Sequence, residues 1–273
     1  MKPSSSSWPL PPSIYVLIVL VHRAFDRTDH RPWPLPAGPW VARQTWHDLL
    51  FAHWPIAEAA LRPLIPASLA IDECEGTAWV GLLPFRMTGV TARWLPPLPG
   101  LSAFPEMNLR TYVTHRGRPG IWFFSLDAAS NLAVWTARRF FHLPYFRARM
   151  RVGADGDRVH YHSCRGDTEL AATYWPSGPT FEAAPGTLDH FLTERYCLYT
   201  TTRRGDLRTL DIHHRPWPLQ RAGAEFDVNR VATSQGIAVG GAPALLHFSS
   251  RLDVIFWPMR APSPTASADR PPL

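Results

Sequence analysis

Four different polar side chains alternate with apolar ones between residues 106 and 113. They are Glu106, Asn108, Arg110 and Tyr112. Because successive side chains of a β-strand point to opposite faces, a strand here would gather all four on one face. A guanidinium can bind a carboxylate in bidentate geometry, and a carboxyl group can act as a general acid or base. The pattern therefore indicates either a pocket for a small organic acid or the solvent face of a half-buried sheet.

A second polar pattern lies in the run that follows. Phe123, Ser125 and Asp127 alternate within an otherwise apolar segment, so a regular strand would place them on one face. Asparagine is uncommon in strands, and buried pockets use a few convergent polar groups, which favours the pocket over the solvent face. The neighbouring run adds limited support to that interpretation.

A possible metal site falls on the alternating residues His160, His162 and Cys164. Alternate side chains on one straight strand lie about 6.5 to 7 Å apart, which is too far to converge on one tetrahedral zinc ion. The pair His213-His214 is no better, because adjacent side chains face opposite ways. We therefore predict no metal and no cofactor.

The basic residues are almost all arginine. Lys2 is the only lysine among 28 basic residues, which face 22 acidic ones. Any mechanism that needs a lysine in the folded body, such as an imine or a phosphate-loop lysine, is therefore excluded. Arg147, Arg149 and Arg151 alternate, and we interpret them as a solvated face. The sequence also lacks the usual motifs of hydrolases and nucleotide-binding proteins, and we expect no nucleic-acid partner.

The chain is organised as one body between two tails. Residues 1–40 and 258–273 are rich in proline and serine and are expected to be disordered, which leaves residues 41–257 as a single domain. The apolar stretch Ile14–Val21 is too short to span a bilayer, so we expect no membrane association. Three cysteines without a paired motif indicate a reducing, cytoplasmic location.

The body shows many short strand patterns and few helix patterns. Two hairpins are predicted, one joined by residues 115–119 and one by residues 153–156. Helices are predicted over residues 56–64, 130–142 and 187–195, the second capped by Ser130 or Asn131. Further strands are predicted over residues 49–54, 78–87, 196–202, 207–213 and 247–257. The class is α+β with a mostly antiparallel sheet, strongly bent or closed into a barrel.

Several longer motifs resemble the YqjF-like family of uncharacterised proteins. The resemblance covers roughly Pro32 to Trp217, and its motifs are the runs at residues 46–55, 61–66, 79–81, 84–87, 106–113, 123–128, 143–145 and 193–196. It implies a fold similar to acetoacetate decarboxylase, a bent antiparallel barrel with a pocket, and no settled activity. In that superfamily a strand glutamate lines the pocket, and Glu106 resembles it. Tyr145 and Phe146 stand where the decarboxylase has its lysine pair, which removes the imine.

The favoured hypothesis is a pocket that binds, with or without transforming, a small organic acid or carbonyl compound. Arg110 would pair with a carboxylate or enolate and Glu106 would act as acid or base. The residues expected to position the ligand are Asn108, Tyr112, Ser125 and Tyr145. The alternative is a non-catalytic interaction module whose polar strand and arginine face bind a protein or anionic partner. Burial of Glu106 and Arg110 in one cavity would favour the pocket, and exposure on a flat face would favour the module.

Overall fold

A computed structural model describes residues 22–98 and 100–262 of the chain, and strands dominate this part. The strands are β1 Ala42–Ile56, β2 Ala70–Ile71, β3 Ala78–Ala92, β4 Phe104–His115, β5 Arg118–Ala128, β6 Tyr145–Arg147, β7 Arg149–Asp155, β8 Arg158–Arg165, β9 Thr168–Phe181, β10 Cys197–Thr201, β11 Leu207–His213, β12 Leu219–Asn229 and β13 Leu245–Phe256. The α-helices are α1 Glu58–Leu61, α2 Asn131–Phe140 and α3 Leu188–Thr193, and 3-10 turns lie at Arg23–Asp26, Arg62–Leu64 and Thr233–Gln235.

The strand pairings return on themselves. They run β1-β3-β4-β5-β10-β11-β13, and β13 pairs in turn with β1, the first strand. Within the described residues, parallel pairing occurs where β5 meets β10 and β6, and the remaining pairs are antiparallel. The predicted class, α+β with a mostly antiparallel sheet, is confirmed.

Strand β13 belongs to two parts of the sheet. Along one edge it pairs with β1 from Leu245 to Phe256. Along its other edge, Ile255 and Phe256 pair with β11, whereas His247 and Phe248 pair with β12. From β12 the sheet continues through β9 and β8 to β7. This division separates a ring of strands from a four-stranded extension.

Two hydrophobic clusters lie on opposite faces of the shared strands. On β1, Leu49 and Phe51 face the inside of the ring, whereas Leu50 and Ala52 face the β12-β9-β8-β7 extension. Each of these side chains is at most 2% exposed. Because both faces of β1 are buried from Leu49 to Trp54, this part of the strand lacks an alternating polar pattern and is almost continuously apolar.

The hairpin of β4 and β5 forms where the sequence predicts it. His115 pairs with Arg118, which leaves Arg116 and Gly117 as a two-residue turn. Their φ angles are +51° and +76°, the left-handed values that a twisted two-residue hairpin turn requires. In the second hairpin Asp155 pairs with Arg158, so the turn lies slightly later than predicted.

Helix α2 also forms where predicted, but most of its large apolar side chains do not enter the core. The Ser130 hydroxyl accepts a hydrogen bond from the Ala133 amide over 3.2 Å and caps the helix. Val134 is buried, whereas Leu132, Trp135 and Phe140 are exposed. The helical spacing of the apolar residues therefore predicts the helix correctly but does not predict what its apolar side chains contact.

Part of the predicted N-terminal extension packs on the body. Ala24 and Trp40 are buried against Ile255 and Trp257, and Arg31 donates a hydrogen bond to the Ile212 carbonyl over 2.8 Å. Residues 22–40 are thus in contact with the ring, which corrects the expectation of a disordered segment there. At the other end, Arg260 forms an ion pair with Asp211, so the predicted tail from residue 258 begins with a bound stretch. Residues 1–21 and 263–273 lie outside the described residues.

Candidate functional site

The ring encloses a cavity of about 830 Å³. Its wall consists mainly of apolar side chains from β1, β3, β4, β5, β10 and β11, together with α2 and the loop at residues 93–102. Polar side chains from the middle of β4 and from the segment after α3 form a small part of the lining. A largely apolar cavity with a few convergent polar groups is the usual form of a small-molecule site.

Three of the four alternating polar residues of β4 line this cavity. Glu106 is 3% exposed, Asn108 is 6% exposed and Arg110 is 5% exposed, and all three face inward. Tyr145, on β6, joins them because β6 pairs in parallel with β5 and places Tyr145 beside Leu126. The structure therefore brings Glu106, Asn108, Arg110 and Tyr145 together in one cavity.

Glu106 and Tyr145 form a hydrogen-bonded pair. The Tyr145 hydroxyl donates to Oε2 of Glu106 over 2.8 Å. Burial raises the pKa of Glu106 to about 8, and nearby Asp127 adds to that increase, while the hydrogen bond from Tyr145 opposes it. Burial and the adjacent carboxyl group also raise the pKa of Tyr145 well above its ordinary value. At neutral pH Glu106 is therefore largely protonated, and it can donate a hydrogen bond or a proton to a ligand.

Arg110 is a buried cation held by neutral groups. Its Nη2 atom donates to the Leu192 carbonyl at the end of α3 over 3.0 Å, and its guanidinium lies 5.5 Å from the Phe51 ring centre. Its Nε atom is buried and has no hydrogen-bond partner among the described residues. No carboxylate in residues 22–98 or 100–262 forms an ion pair with Arg110. A buried cation without an anion is costly, and a ligand carboxylate would relieve that cost.

Glu106 and Arg110 lie in the same cavity but at different depths. Four residues of extended strand separate their Cα atoms by roughly 13 Å. The Arg110 guanidinium also turns toward Tyr112, because its Nη2 atom lies 3.4 Å from the Tyr112 hydroxyl. The geometry therefore separates an anion-binding position at Arg110 from an acid group at Glu106, with Asn108 between them.

Tyr112 does not line the cavity, although alternation placed it on the correct face. Its hydroxyl donates to the Leu192 carbonyl over 2.6 Å and contacts Nε2 of His53 over 2.6 Å. The hydroxyl therefore donates to Leu192 and can accept from both His53 and Arg110, which uses its full hydrogen-bonding capacity. Helix α3 covers the ring at this level, so Tyr112 fixes the helix and Arg110 and is not expected to position a ligand.

Ser125 is also absent from the cavity, and a β-bulge explains its position. On β5, Ser125 pairs with Leu109 and Phe123 pairs with Arg110, so Phe124 is an extra residue in that strand. The bulge interrupts the alternation, and Phe123 and Leu126 face the cavity while Ser125 does not. The prediction that Phe123, Ser125 and Asp127 share a face assumed a regular strand. The buried carboxylate of Asp127 instead pairs with Arg165 at 3.1 Å.

Other residues at the closed end of the cavity were not predicted as site residues. Arg195 lines the cavity, but its Nη1 atom donates to Asp72 over 2.6 Å, so its charge is already balanced. His214 also lines the cavity, and its Nδ1 atom lies 2.7 Å from the Arg215 carbonyl. Burial lowers the pKa of His214 to about 3, so its imidazole is neutral. The adjacent residues His213 and His214 do face opposite ways, and that pattern could have marked His214 as inward.

The residues of the possible metal site and the alternating arginines both lie outside the cavity. His160 contacts Thr173 and His162 lies 3.4 Å from a carboxylate oxygen of Glu169. Across the described ranges, no group of three or more histidine, cysteine, aspartate or glutamate side chains is arranged to hold a metal ion. The three alternating arginines are exposed: Arg147 ends β6, whereas Arg149 and Arg151 lie on β7, the last strand of the extension.

Sequence comparison identifies the family. The DUF2071 family, described as an uncharacterized conserved protein family, matches residues 43–253. The chain is also 50% identical over 238 residues to the uncharacterized protein YqjF of Bacillus subtilis strain 168, an alignment that covers 86% of this chain and 98% of that protein. The chain belongs to the DUF2071 family. The resemblance that the sequence motifs indicated is confirmed.

Solved structures with the same fold include decarboxylase-like enzymes. This DUF2071 protein has a TM-score of 0.55 and 13% identity to acetoacetate decarboxylase from Legionella pneumophila, over 87% of this chain and 94% of that chain. The enduracididine biosynthesis enzyme MppR complexed with pyruvate has a TM-score of 0.57 and 11% identity, over 95% of this chain and 98% of that chain. An acetoacetate decarboxylase-like enzyme from Sphingomonas wittichii has a TM-score of 0.53 and 12% identity, over 84% of this chain and 96% of that chain. The predicted resemblance to the acetoacetate decarboxylase fold is confirmed.

In the part of the chain that the structure describes, no helix has the length and hydropathy needed to cross a bilayer.

Proposed function

We propose that this DUF2071 protein binds an organic acid in the cavity of the ring, with the ligand carboxylate at Arg110. The observation that carries the proposal is the buried Arg110 guanidinium, which lines the cavity and has no ion-pair partner among the described residues. By contrast, the neighbouring Arg195 is paired with Asp72 and needs no further anion. The binding energy of a carboxylate at Arg110 comes from a charge-assisted hydrogen bond in a place shielded from water.

Glu106 supplies the second part of the proposed site. Its carboxyl group is protonated at neutral pH, is held by Tyr145 and faces the same cavity as Arg110. A carbonyl oxygen of the ligand, beyond its carboxylate, would accept a hydrogen bond from Glu106 or from the Asn108 amide. Polarisation of a carbonyl by a neutral carboxylic acid is an established use of a raised pKa. The ligand class that fits both groups is an oxo acid.

The proposed chemistry does not use an imine. Lys2 is the only lysine of the chain, and Tyr145 stands where the resemblance to the decarboxylase implies a lysine. The structure of MppR is a complex with pyruvate, which supports an oxo acid as the ligand class of this protein. Any reaction here would therefore depend on Glu106 as the proton donor.

The alternative of a non-catalytic interaction module has less support. It requires Glu106 and Arg110 on an exposed surface, and both are almost fully buried.

The three free cysteines, Cys74, Cys164 and Cys197, support the cytoplasmic location that the sequence indicated.

The proposal is tested by measuring how short oxo acids change thermal stability. Pyruvate, acetoacetate and levulinate are titrated against the wild type, Arg110→Met and Arg149→Met, the last as a matched loss of an exposed arginine. A ligand present at 100 times its Kd should stabilise the protein by about 2.7 kcal/mol. We expect stabilisation of the wild type and of Arg149→Met and none of Arg110→Met. No response of the wild type to any acid, or an equal response of both variants, would refute the proposal.

A further inference from the structure

The exposed large apolar side chains of this protein are concentrated at one place. Among the described residues, those that are clearly exposed are Leu64, Trp94, Leu95, Leu98, Leu101, Leu132, Trp135 and Phe140. All except Leu64 lie on the loop at residues 93–102 or on helix α2. A folded surface normally scatters such side chains, and a contiguous group marks a binding site.

Most of this exposed group is also part of the cavity wall. The residues that line the cavity are Leu95, Leu98, Leu101, Leu132 and Phe140. Leu95 is 59% exposed and Phe140 is 55% exposed, so side chains that line the cavity also reach solvent. The cavity therefore opens between the 93–102 loop and helix α2, through a mouth whose rim is apolar.

Arg110 and the mouth lie at opposite ends of the cavity. Arg110 pairs with Gly81 on β3, whereas Arg43, on the part of β1 near the mouth, pairs with Thr91 on the same strand. The ten strand positions between Gly81 and Thr91 correspond to roughly 30 Å. Glu106 lies opposite Phe85, between these two ends. From Arg110 outward, a ligand would thus pass Asn108 and Glu106 and then meet apolar side chains as far as the mouth.

We propose that the ligand is an amphiphilic acid whose apolar tail runs from Glu106 to the mouth between α2 and the 93–102 loop. This inference rests on the proposed function, because Arg110 must hold the carboxylate. The cavity volume of about 830 Å³ supports it, since pyruvate or acetoacetate would leave most of that space unfilled. Small-molecule sites usually enclose most of the ligand surface, so a site of this size fits a ligand with a chain.

The apolar lining makes a specific prediction about affinity. Each methylene buried in an apolar wall should raise the affinity about three- to fourfold. Octanoate has four more methylenes than butyrate, so it should bind on the order of a hundredfold more tightly if the whole tail is enclosed. Calorimetric titration of acetate, butyrate, octanoate, decanoate and octadecanoate, the last long enough to extend past Glu106, measures this series, with decanol as a neutral control. Decanol should bind more weakly than decanoate because it lacks the charge that Arg110 recognises.

Two phenylalanine substitutions on helix α2 test where the apolar tail of the ligand lies. Ala133 lines the cavity on α2, whereas Asn131 lies on the same helix, is exposed and is not part of the cavity wall. Ala133→Phe should weaken octadecanoate binding at least tenfold and change butyrate binding less than twofold. Asn131→Phe should change neither. Circular dichroism and thermal unfolding establish that both variants are folded.

A second comparison fixes the direction of the ligand. Arg43 also lines the cavity, near the mouth. Arg110→Met should abolish binding of octadecanoate, and Arg43→Met should change it less than threefold. The opposite result would place the carboxylate at the mouth and overturn the proposed orientation.

The outcomes separate this inference from the proposed function. If short and long acids bind with equal affinity and Arg110→Met removes both, the organic-acid site stands and the amphiphilic ligand is refuted. If no acid of either length binds, the proposed function fails, and this inference fails with it. If long acids do not bind and sedimentation shows a dimer that Trp135→Asp dissociates, the exposed apolar group is an interface between copies and the inference is overturned.

Discussion

The Tyr145 hydroxyl donates its hydrogen bond to Oε2 of Glu106 over 2.8 Å, across the parallel pairing of β5 and β6. The hydroxyl favours the charged carboxylate, while burial favours the neutral acid, and burial has the larger effect. Glu106 thus remains able to donate a proton near neutral pH. Both parts of this balance can be measured.

The first prediction concerns the pH dependence of stability. The pKa of Glu106 is raised from 4.5 to about 8 on folding, so between these values the folded protein holds a proton that the unfolded chain lacks. The free energy of unfolding should therefore fall as pH rises, by up to about 1.4 kcal/mol per pH unit. Relative to Glu106→Gln, which has no such proton, the wild type should lose about 2 kcal/mol between pH 6 and pH 8.

Urea unfolding of both proteins at several pH values measures that difference. Glu194, whose pKa burial raises to about 7, is present in both proteins, so its contribution cancels. A stability difference that stays constant from pH 6 to pH 8 would show that Glu106 does not titrate in this range.

The second prediction concerns Tyr145 itself. Tyr145→Phe removes the hydrogen bond that lowers the pKa of Glu106, so that pKa should rise further. The infrared carbonyl band of the protonated acid, assigned by its absence in Glu106→Gln, reports the titration. Tyr174→Phe is the control, because Tyr174 is also buried but donates to the Asp48 carbonyl. An unchanged titration in Tyr145→Phe would mean that the hydrogen bond has no influence on Glu106.

The third prediction concerns the segment before β1. Arg31 is buried, donates to the Ile212 carbonyl and lies 4.8 Å from the ring centre of Tyr196. Arg31→Ala should lower the free energy of unfolding by about 1 to 3 kcal/mol, because it leaves a buried carbonyl unpaired and removes packing. Arg27→Ala is the control: its ion pair with Glu182 is solvent-exposed and should contribute little to stability. Equal effects of the two variants would indicate that the buried contacts of Arg31 do not stabilise the body.

The fourth prediction concerns close approach at a strand glycine. A Cβ atom on Gly120 would lie 2.7 Å from the Tyr199 ring and 3.0 Å from the Cys197 carbonyl oxygen. Gly120→Ala should therefore destabilise the protein by about 1 to 3 kcal/mol, as overpacking usually does. Gly153 is the matched control, because a Cβ there meets nothing within 4 Å. Thermal unfolding compares the two, and a Gly120→Ala protein as stable as Gly153→Ala would contradict the close packing.

The sequence predicts features that depend on neighbouring residues and misses those that depend on distant ones. The alternation of Glu106, Asn108 and Arg110 depends only on β4 being extended, and the structure places all three in the cavity. Ser125 departs from its predicted position because the bulge at Phe124 comes from pairing with β4, which the periodicity of β5 does not report.

Strands β9 and β12 were not predicted for a related reason. Pro176 and Pro179 interrupt β9, and β12 has little apolar alternation, so neither segment shows a strand pattern. They form because they pair with each other and cover the outer cluster. The apolar mouth was missed as well, because the spacing that predicts helix α2 is the same whether its apolar side chains enter a core or line an opening.

The pairing of β1 with β13 joins the beginning of the folded body to its end. Ala42 pairs with Phe256, so the ring cannot close around the cavity until a ribosome has synthesised nearly the whole body. Pairing between segments so distant in sequence is slow, because the chain must close a very long loop before the contact is formed. During synthesis, the inward faces of β3, β4 and β5 remain open to solvent. Protection by chaperones should therefore matter most just before β13 emerges.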